Sequence, residues 1–200
     1  MAFLFTSQLM SAVKIEPSKK QHDIIIPKSV FRRYMSFVWK SLVPNATTGM
    51  RIQKKAFIKL HYAVQRQLLE CLRAANKITT QAGRTVVTPN EIRLARQLLF
   101  RDITPNMSYT QCDVCVADNA CRQLAKKSHI SLSRKSVTVS DSRDGNMSIT
   151  AYNEIRRLLY DLIVDLMTYI INHEDHISMI KIDQVGNALA FRSLRPMYPF

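Results

Sequence analysis

The residues best suited to bind a metal ion lie close together in the middle of the chain. Cys112 and Cys115 have the C-x-x-C spacing of half a zinc site, and Cys121 and His129 are further ligands of the right chemical types. The spacing of the second pair is irregular, and Cys121 falls on a predicted helix that is expected to turn it toward the core. We therefore treat these four residues as weak metal candidates and favour free thiols.

No other group of residues predicts catalysis. His173 and His176 flank two acidic residues, but they lie where a long predicted helix ends, and there we interpret them as solvated. The sequence contains no glycine-rich phosphate loop, no nucleophile elbow and no H-E-x-x-H motif. It therefore indicates a protein that is not an enzyme and that uses no cofactor and no small-molecule substrate.

Charge is the strongest functional signal. The 200 residues include 29 Lys and Arg against 15 Asp and Glu, for a net charge of +14. Residues 1–105 have 18 basic and 5 acidic residues, whereas residues 106–200 have 11 and 10, so the excess lies in the first half. Such a protein is expected to bind a polyanion, because each neutralised phosphate releases counterions. Charge alone leaves nucleic acid and an anionic membrane both open.

Composition narrows the protein class. With 46% hydrophobic residues the chain can bury a core, and its 4 Gly disfavour a turn-rich β-sandwich. No apolar stretch reaches the roughly 20 residues of a membrane span, and the first residues make a poor signal peptide. Four cysteines without a secretion signal are typical of a reducing compartment. We expect a soluble intracellular protein with no membrane partner.

Helical periodicity dominates the first half. Apolar residues recur every three or four positions at about 29–42 and again at about 53–76. The stripe of the second, longer helix comprises Phe57, Leu60, Val64, Leu68, Cys71 and Ala75. After a short β-branched run, Thr88, Pro89 and Glu91 form a complete start signal for another short helix.

The second half repeats this order. A short basic helix, ACRQLAKK, is expected to be capped by Asp118 or Asn119. It is followed by a Ser-rich loop at 128–147, a long helix at about 151–173, a short extended piece at 179–182 and a last short helix at VGNALAF. The apolar stripe of the long helix comprises Ile155, Leu158, Leu162, Leu166 and Ile170.

The two halves are expected to need each other. A long helix flanked by two short ones cannot close a core alone, because its apolar face has nothing opposite it. Two such units crossing at their long helices bury both faces. The sequence thus predicts an all-α protein with an extension at 1–27, a first unit at 28–104, a linker at 105–118 and a second unit at 119–200.

In this organisation the chain resembles core histones. RIQKKAFIKL, AGRTVVTP and EIRLARQLL are similar to histone three, with histone two B as an alternative. RQLAKK and the ending ALAFRSLRPMYPF resemble histone four. The resemblance implies two histone folds in one chain, paired as an intramolecular handshake pseudo-heterodimer, as in the histone doublets of large DNA viruses.

The resemblance also implies which residues bind DNA and which join histone units. The DNA contacts that it implies are Arg32, Lys40, Arg51, Lys54, Arg84, Arg122, Lys126 and Lys127. Arg134 and Lys135, in the loop at 128–147, are candidates on charge alone. For any one of them, a solvated basic surface is the simpler interpretation. Interfaces between histone units are implied at Gln81, Glu91, Leu94, Arg96, Arg195, Tyr198 and Phe200.

These inferences predict a DNA-packaging protein that wraps duplex DNA without sequence specificity in a nucleosome-like particle. The implied partners are double-stranded DNA, a second copy of the doublet, and a second histone pair resembling histones two A and two B. The implied location is a virus particle and either the viral factory or the host nucleus. The alternative is a histone-fold interaction module of the transcription-factor or kinetochore type, whose main partner is a protein.

Overall fold

The computed structural model describes residues 24–44, 49–84, 86–100, 114, 116–128, 130, 149–173 and 179–193. Within these residues the chain forms six α-helices: α1 (Lys28–Leu42), α2 (Lys54–Gln81), α3 (Pro89–Leu99), α4 (Asp118–Lys127), α5 (Ile149–Asn172) and α6 (Ile182–Ser193). This part of the chain contains no β-strand longer than a single bridge. The predicted all-α class is confirmed for the described residues, and so is the order of a short, a long and a short helix in each half.

The apolar stripes predicted from periodicity are the buried faces of the two long helices. All six predicted positions on α2 are buried. The five predicted positions on α5 are buried as well: Ile155, Leu158, Leu162, Leu166 and Ile170. These residues belong to one hydrophobic cluster that includes side chains from all six helices.

The short helices pack across the boundary between the halves. Helices α1 and α3 of the first half pack against α5, and α4 and α6 of the second half pack against α2. The long helices α2 and α5 also contact each other directly. Each half therefore supplies part of the other's core, as expected for two units that cannot bury their apolar faces alone.

Two ion pairs join α3 to α5 within this arrangement. The Arg96 guanidinium lies 2.9 Å from the Asp161 carboxylate, and both side chains are buried. Arg93 lies 3.2 Å from Glu154, which is buried, whereas Arg93 is half exposed. A buried charge without its partner is strongly destabilising, so these pairs favour one relative placement of the halves.

Helix α2 ends five residues later than its apolar periodicity predicted. The hydroxyls of Thr79 and Thr80 donate hydrogen bonds to the carbonyl oxygens one turn earlier, which lets these β-branched residues remain helical. The helix ends where Gly83 adopts a φ of 69°. The amide of Arg84 then donates to the Thr79 carbonyl, which closes the last turn.

The N-cap residue of α4 differs from the predicted one. Asp118 or Asn119 was expected to cap this helix, but the N-cap residue is Ala117, and Asp118 lies in the first turn. The Asp118 carboxylate instead accepts a hydrogen bond from Arg156 of α5. The same guanidinium donates to the Val116 carbonyl over 2.9 Å, so α5 fixes this helix start from outside.

Candidate nucleic-acid interface

The loop before α2 and the loop before α6 lie side by side. Ile52 and Ile180 form a parallel β-bridge, in which the Ile180 amide donates to the Arg51 carbonyl over 2.9 Å and the Gln53 amide donates to the Ile180 carbonyl over 3.0 Å. Both isoleucines pack against the core, and Ile180 is fully buried. The bridge therefore joins a loop of each half at a fixed position.

Three exposed cations surround this bridge. Arg51 and Lys54, which the sequence predicted as DNA contacts, are exposed on the first loop and at the start of α2. Lys181, next to the bridged Ile180, is exposed on the second loop. The sequence did not single out Lys181, because it does not show which segment the extended piece at 179–182 pairs with. We define Arg51, Lys54 and Lys181 as the loop cations.

The first turn of α2 is suited to an anion. Its N-cap residue, Gln53, makes no capping hydrogen bond, and the first turn contains no acidic residue. The Gln53 side chain instead accepts a 3.4 Å hydrogen bond from the Ile182 amide across the bridge. The first amides of a helix lack partners within the helix, and together with nearby cations they can bind a phosphate.

An ion pair with Glu91 positions Arg84 near the start of α3. Its guanidinium lies 2.7 Å from the Glu91 carboxylate while the side chain stays largely exposed. Glu91 also accepts hydrogen bonds from the amide and hydroxyl of Thr88, so the predicted capping box is confirmed. Burial alone would raise the pKa of Glu91, but the Thr88 hydrogen bonds and the Arg84 charge lower it below the usual value. A guanidinium has five donors, so Arg84 keeps donors for a second anion.

The remaining predicted contacts are spread over α1 and α4. Arg32 is exposed and lies 5.1 Å above the Phe57 ring, and Lys40 is exposed in the last turn of α1. On α4, Arg122 is half buried. Lys126 and Lys127 are exposed beside a cavity of about 280 Å³, whose walls also include Ile24, Ile25 and Gln123.

The residues predicted to join histone units fall into two groups. Gln81 and Leu94 are exposed, and 43% of the Leu94 side chain is accessible. Glu91 and Arg96 are buried and are engaged by Arg84 and Asp161 of the same chain. Both residues therefore make ion pairs within the chain.

Several predicted site residues lie outside the described residues, namely Arg134, Lys135, Arg195, Tyr198, Phe200, Cys112, Cys115 and His129. Cys121 is buried in the core, on the inner side of α4. Among the described residues, no group of three or more His, Cys, Asp or Glu side chains is arranged to hold a metal ion. Only Cys121 of the four weak metal candidates is described, so the preference for free thiols stays a prediction.

Comparisons with known proteins add no name to this geometry. No family model matches the chain. A search of curated proteins finds no significant relative. None of the described helices combines the length and the apolar character that crossing a bilayer demands.

Proposed function

We propose that this chain is a structural DNA-packaging protein built from two histone-like folds that pair within one molecule. In this proposal the first unit corresponds to histone three or two B and the second to histone four. The chain binds duplex DNA without sequence specificity and bends it around the particle, in the manner of the core histones it resembles.

The observation that carries the proposal is the joining of two loops by the Ile52–Ile180 bridge, on a core to which each half contributes short helices for the other's long helix. This arrangement supports a handshake between two similar units. It also brings Arg51 and Lys54 of one half beside Lys181 of the other. A single half would present only part of this cationic surface.

The chemistry of the surface favours phosphates over bases. Its cations are exposed, and they stand next to helix amides that lack a capping side chain. Contacts of this kind fix a protein on the duplex backbone but do not read sequence. Binding would therefore weaken steeply with salt, by a slope of about 0.9 per phosphate contact.

Assembly beyond one chain follows from the same resemblance. In the proposal two copies associate with each other and with a second histone pair resembling histones two A and two B. Exposed Gln81 and Leu94, at the end of α2 and on α3, are the described residues available for such contacts. The proposed setting is a virus particle and either the viral factory or the host nucleus.

The first test separates a defined DNA surface from general charge. One variant replaces the loop cations (Arg51→Ala, Lys54→Ala and Lys181→Ala). A control replaces three exposed cations between the middle and the end of α2, away from the loop cations (Arg66→Ala, Arg73→Ala and Lys77→Ala). Both lose the same charge. We expect the loop variant to reduce the salt slope of binding to a 30-base-pair duplex by about 2 to 3, and the control to change it by less than about 1. Equal losses would mean that only net charge matters.

The second test measures wrapping. Micrococcal nuclease would be applied to DNA reconstituted with the full chain, with and without a pair of histones two A and two B. A discrete protected length on the order of 120 base pairs, near that of histone octamers, is the expected result. A smear under both conditions would contradict wrapping and favour the alternative of a protein-interaction module.

A further inference from the structure

One exposed face of α2 carries four basic side chains and a tyrosine. Lys55, Tyr62, Arg66, Arg73 and Lys77 are separated by seven, four, seven and four residues, and all five are exposed. At 3.6 residues per turn these intervals place them on one side of the helix, over a length of about 33 Å. We call these five residues the basic stripe.

The stripe is nearly free of opposing charge from its own helix. Helix α2 contains six Lys and Arg but one acidic residue, Glu70. Glu70 lies 3.1 Å from Arg66, one turn away, and is half buried. Arg73 and Lys77 lie still farther from the loop cations, toward the opposite end of α2. The stripe therefore extends well beyond the proposed DNA surface.

Two large apolar side chains lie near the start of the stripe, Tyr62 within it and Ile58 beside it. Ile58 and Tyr62 are 37% and 47% exposed and stand one turn apart on α2. They are two of only six large apolar side chains that are exposed among the described residues. A simply solvated basic face has no need of such residues, whereas aromatic residues beside arginines are typical of protein-binding surfaces. A phosphate backbone offers little apolar surface to cover them.

The stripe is not a general property of long helices in this fold. Helix α5 is the counterpart of α2 in the second half, yet it contains two arginines against Glu154, Asp161 and Asp165. Arg156 on that helix is engaged by Asp118 and Val116. The excess positive charge is thus particular to the face of α2, although both helices are central to the core.

We infer that the basic stripe is a docking surface for an acidic polypeptide segment of a partner protein, with an apolar side chain that covers Ile58 and Tyr62. Charge complementarity would be supplied by Asp and Glu of the partner against Arg66, Arg73 and Lys77. Such pairing accelerates association and selects partners by charge, while the apolar contact adds affinity that salt does not screen. Arg66, Arg73 and Lys77 lie at least 12 residues along α2 from Lys54, the loop cation on that helix, so this part of the stripe can be occupied while DNA is bound.

The probe for this surface is a synthetic 20-residue peptide of Glu and Asp that contains two Phe residues four positions apart, labelled with fluorescein. A second peptide has Ala at both Phe positions. Binding to the full-length chain is followed by fluorescence anisotropy at two salt concentrations. The chain variants are the two sets defined above, three loop cations or three stripe cations replaced by Ala, together with Ile58→Ala/Tyr62→Ala.

We expect replacement of Arg66, Arg73 and Lys77 to raise the Kd of the Phe peptide about tenfold, because three exposed ion pairs are lost. Replacement of the loop cations should change it less than about twofold. The loss caused by exchanging Phe for Ala in the peptide should largely disappear in the Ile58→Ala/Tyr62→Ala chain, because the apolar contact is then already missing. Thermal melts of each variant would check that it is folded.

Three results would overturn the inference. The first is no binding of the Phe peptide by a wild-type chain that still binds the duplex. The second is an equal weakening of peptide binding by both sets of substitutions. The third is a loss of duplex affinity in the stripe variant as large as its loss of peptide affinity, which would make the stripe a second DNA surface. Because the duplex is measured in parallel, failure of this inference is distinguishable from failure of the proposed function.

Discussion

Acidification is expected to destabilise this protein through one buried histidine. His61 lies on α2 with no solvent exposure, and its ring stacks on Phe31 with the centroids 4.3 Å apart. Neither ring nitrogen has a hydrogen bond of normal geometry. Burial lowers the pKa of His61 from 6.5 to about 4; the nearby backbone of Ile26 opposes this change, and the charge of Lys28 adds to it. Two cations lie near the ring, Lys28 and Arg32, and Arg32 lies over the neighbouring Phe57 ring.

The size of the effect follows from the difference between the two pKa values. The unfolded chain takes up a proton on His61 below pH 6.5, whereas the folded chain does so only near pH 4. The stability that the neutral His61 contributes is therefore present above about pH 6.5 and is lost as the pH falls toward 4. Between pH 7.5 and pH 5 the loss in the free energy of unfolding is about 2 kcal/mol.

Urea unfolding at pH 7.5, 6 and 5 measures this loss. Trp39, the single tryptophan, is buried and reports the transition by fluorescence. With an m-value of about 2 kcal/mol per M, the midpoint should fall by about 1 M urea between pH 7.5 and pH 5. His61→Met fills a similar space without titrating and should keep its midpoint over this range. Equal pH dependence in the wild type and in His61→Met would refute the reasoning.

Three further predictions concern the core and a helix end. Asp161→Asn should lower the free energy of unfolding by about 3–5 kcal/mol, because it leaves the Arg96 charge buried; a loss below 1 kcal/mol in urea unfolding would show that the pair is dispensable. Gly83→Ala should cost about 1 kcal/mol through its positive φ alone, since an added Cβ meets no atom within 4 Å, whereas the equally open Gly49→Ala should be nearly neutral; thermal melts of both variants check this. Burial raises the pKa of the Cys71 thiol to about 12, so iodoacetamide at pH 8 should label it only after unfolding. Peptide mapping by mass spectrometry would detect labelling of the folded chain, which would contradict its burial.

Local patterns in the sequence were sufficient to predict the helices. The repeat of apolar residues along α2 and α5 identified the buried faces, because helical geometry alone decides which positions share a face. The capping box at Thr88 and Glu91 was also predicted, since its partners are three residues apart. The end of α2 was placed too early, because Thr79 and Thr80 are poor helix formers until their hydroxyls find acceptors on the preceding turn.

Contacts between distant residues could not be predicted in this way. The cap of α4 was wrong because Asp118 is engaged by Arg156, 38 residues away. The resemblance assigned Arg96 to an interface between histone units, and the sequence around it gave no sign of its ion pair with Asp161, 65 residues away. The pairing that places Lys181 at the candidate DNA surface spans more than 120 residues and depends on the folded core.

The exchange of short helices between the halves also sets the order in which the protein can be completed during translation. Helix α1 packs against α5, which starts at Ile149, more than 100 residues after α1 ends. At about 5–20 residues per second, synthesis takes on the order of 5 to 20 seconds between these two helices. During that interval the face of α1 that packs against α5, which includes Phe37 beside Tyr160, has no partner. The nascent first half is thus exposed to aggregation for far longer than a helix needs to form, and its yield in a cell should depend on translation speed.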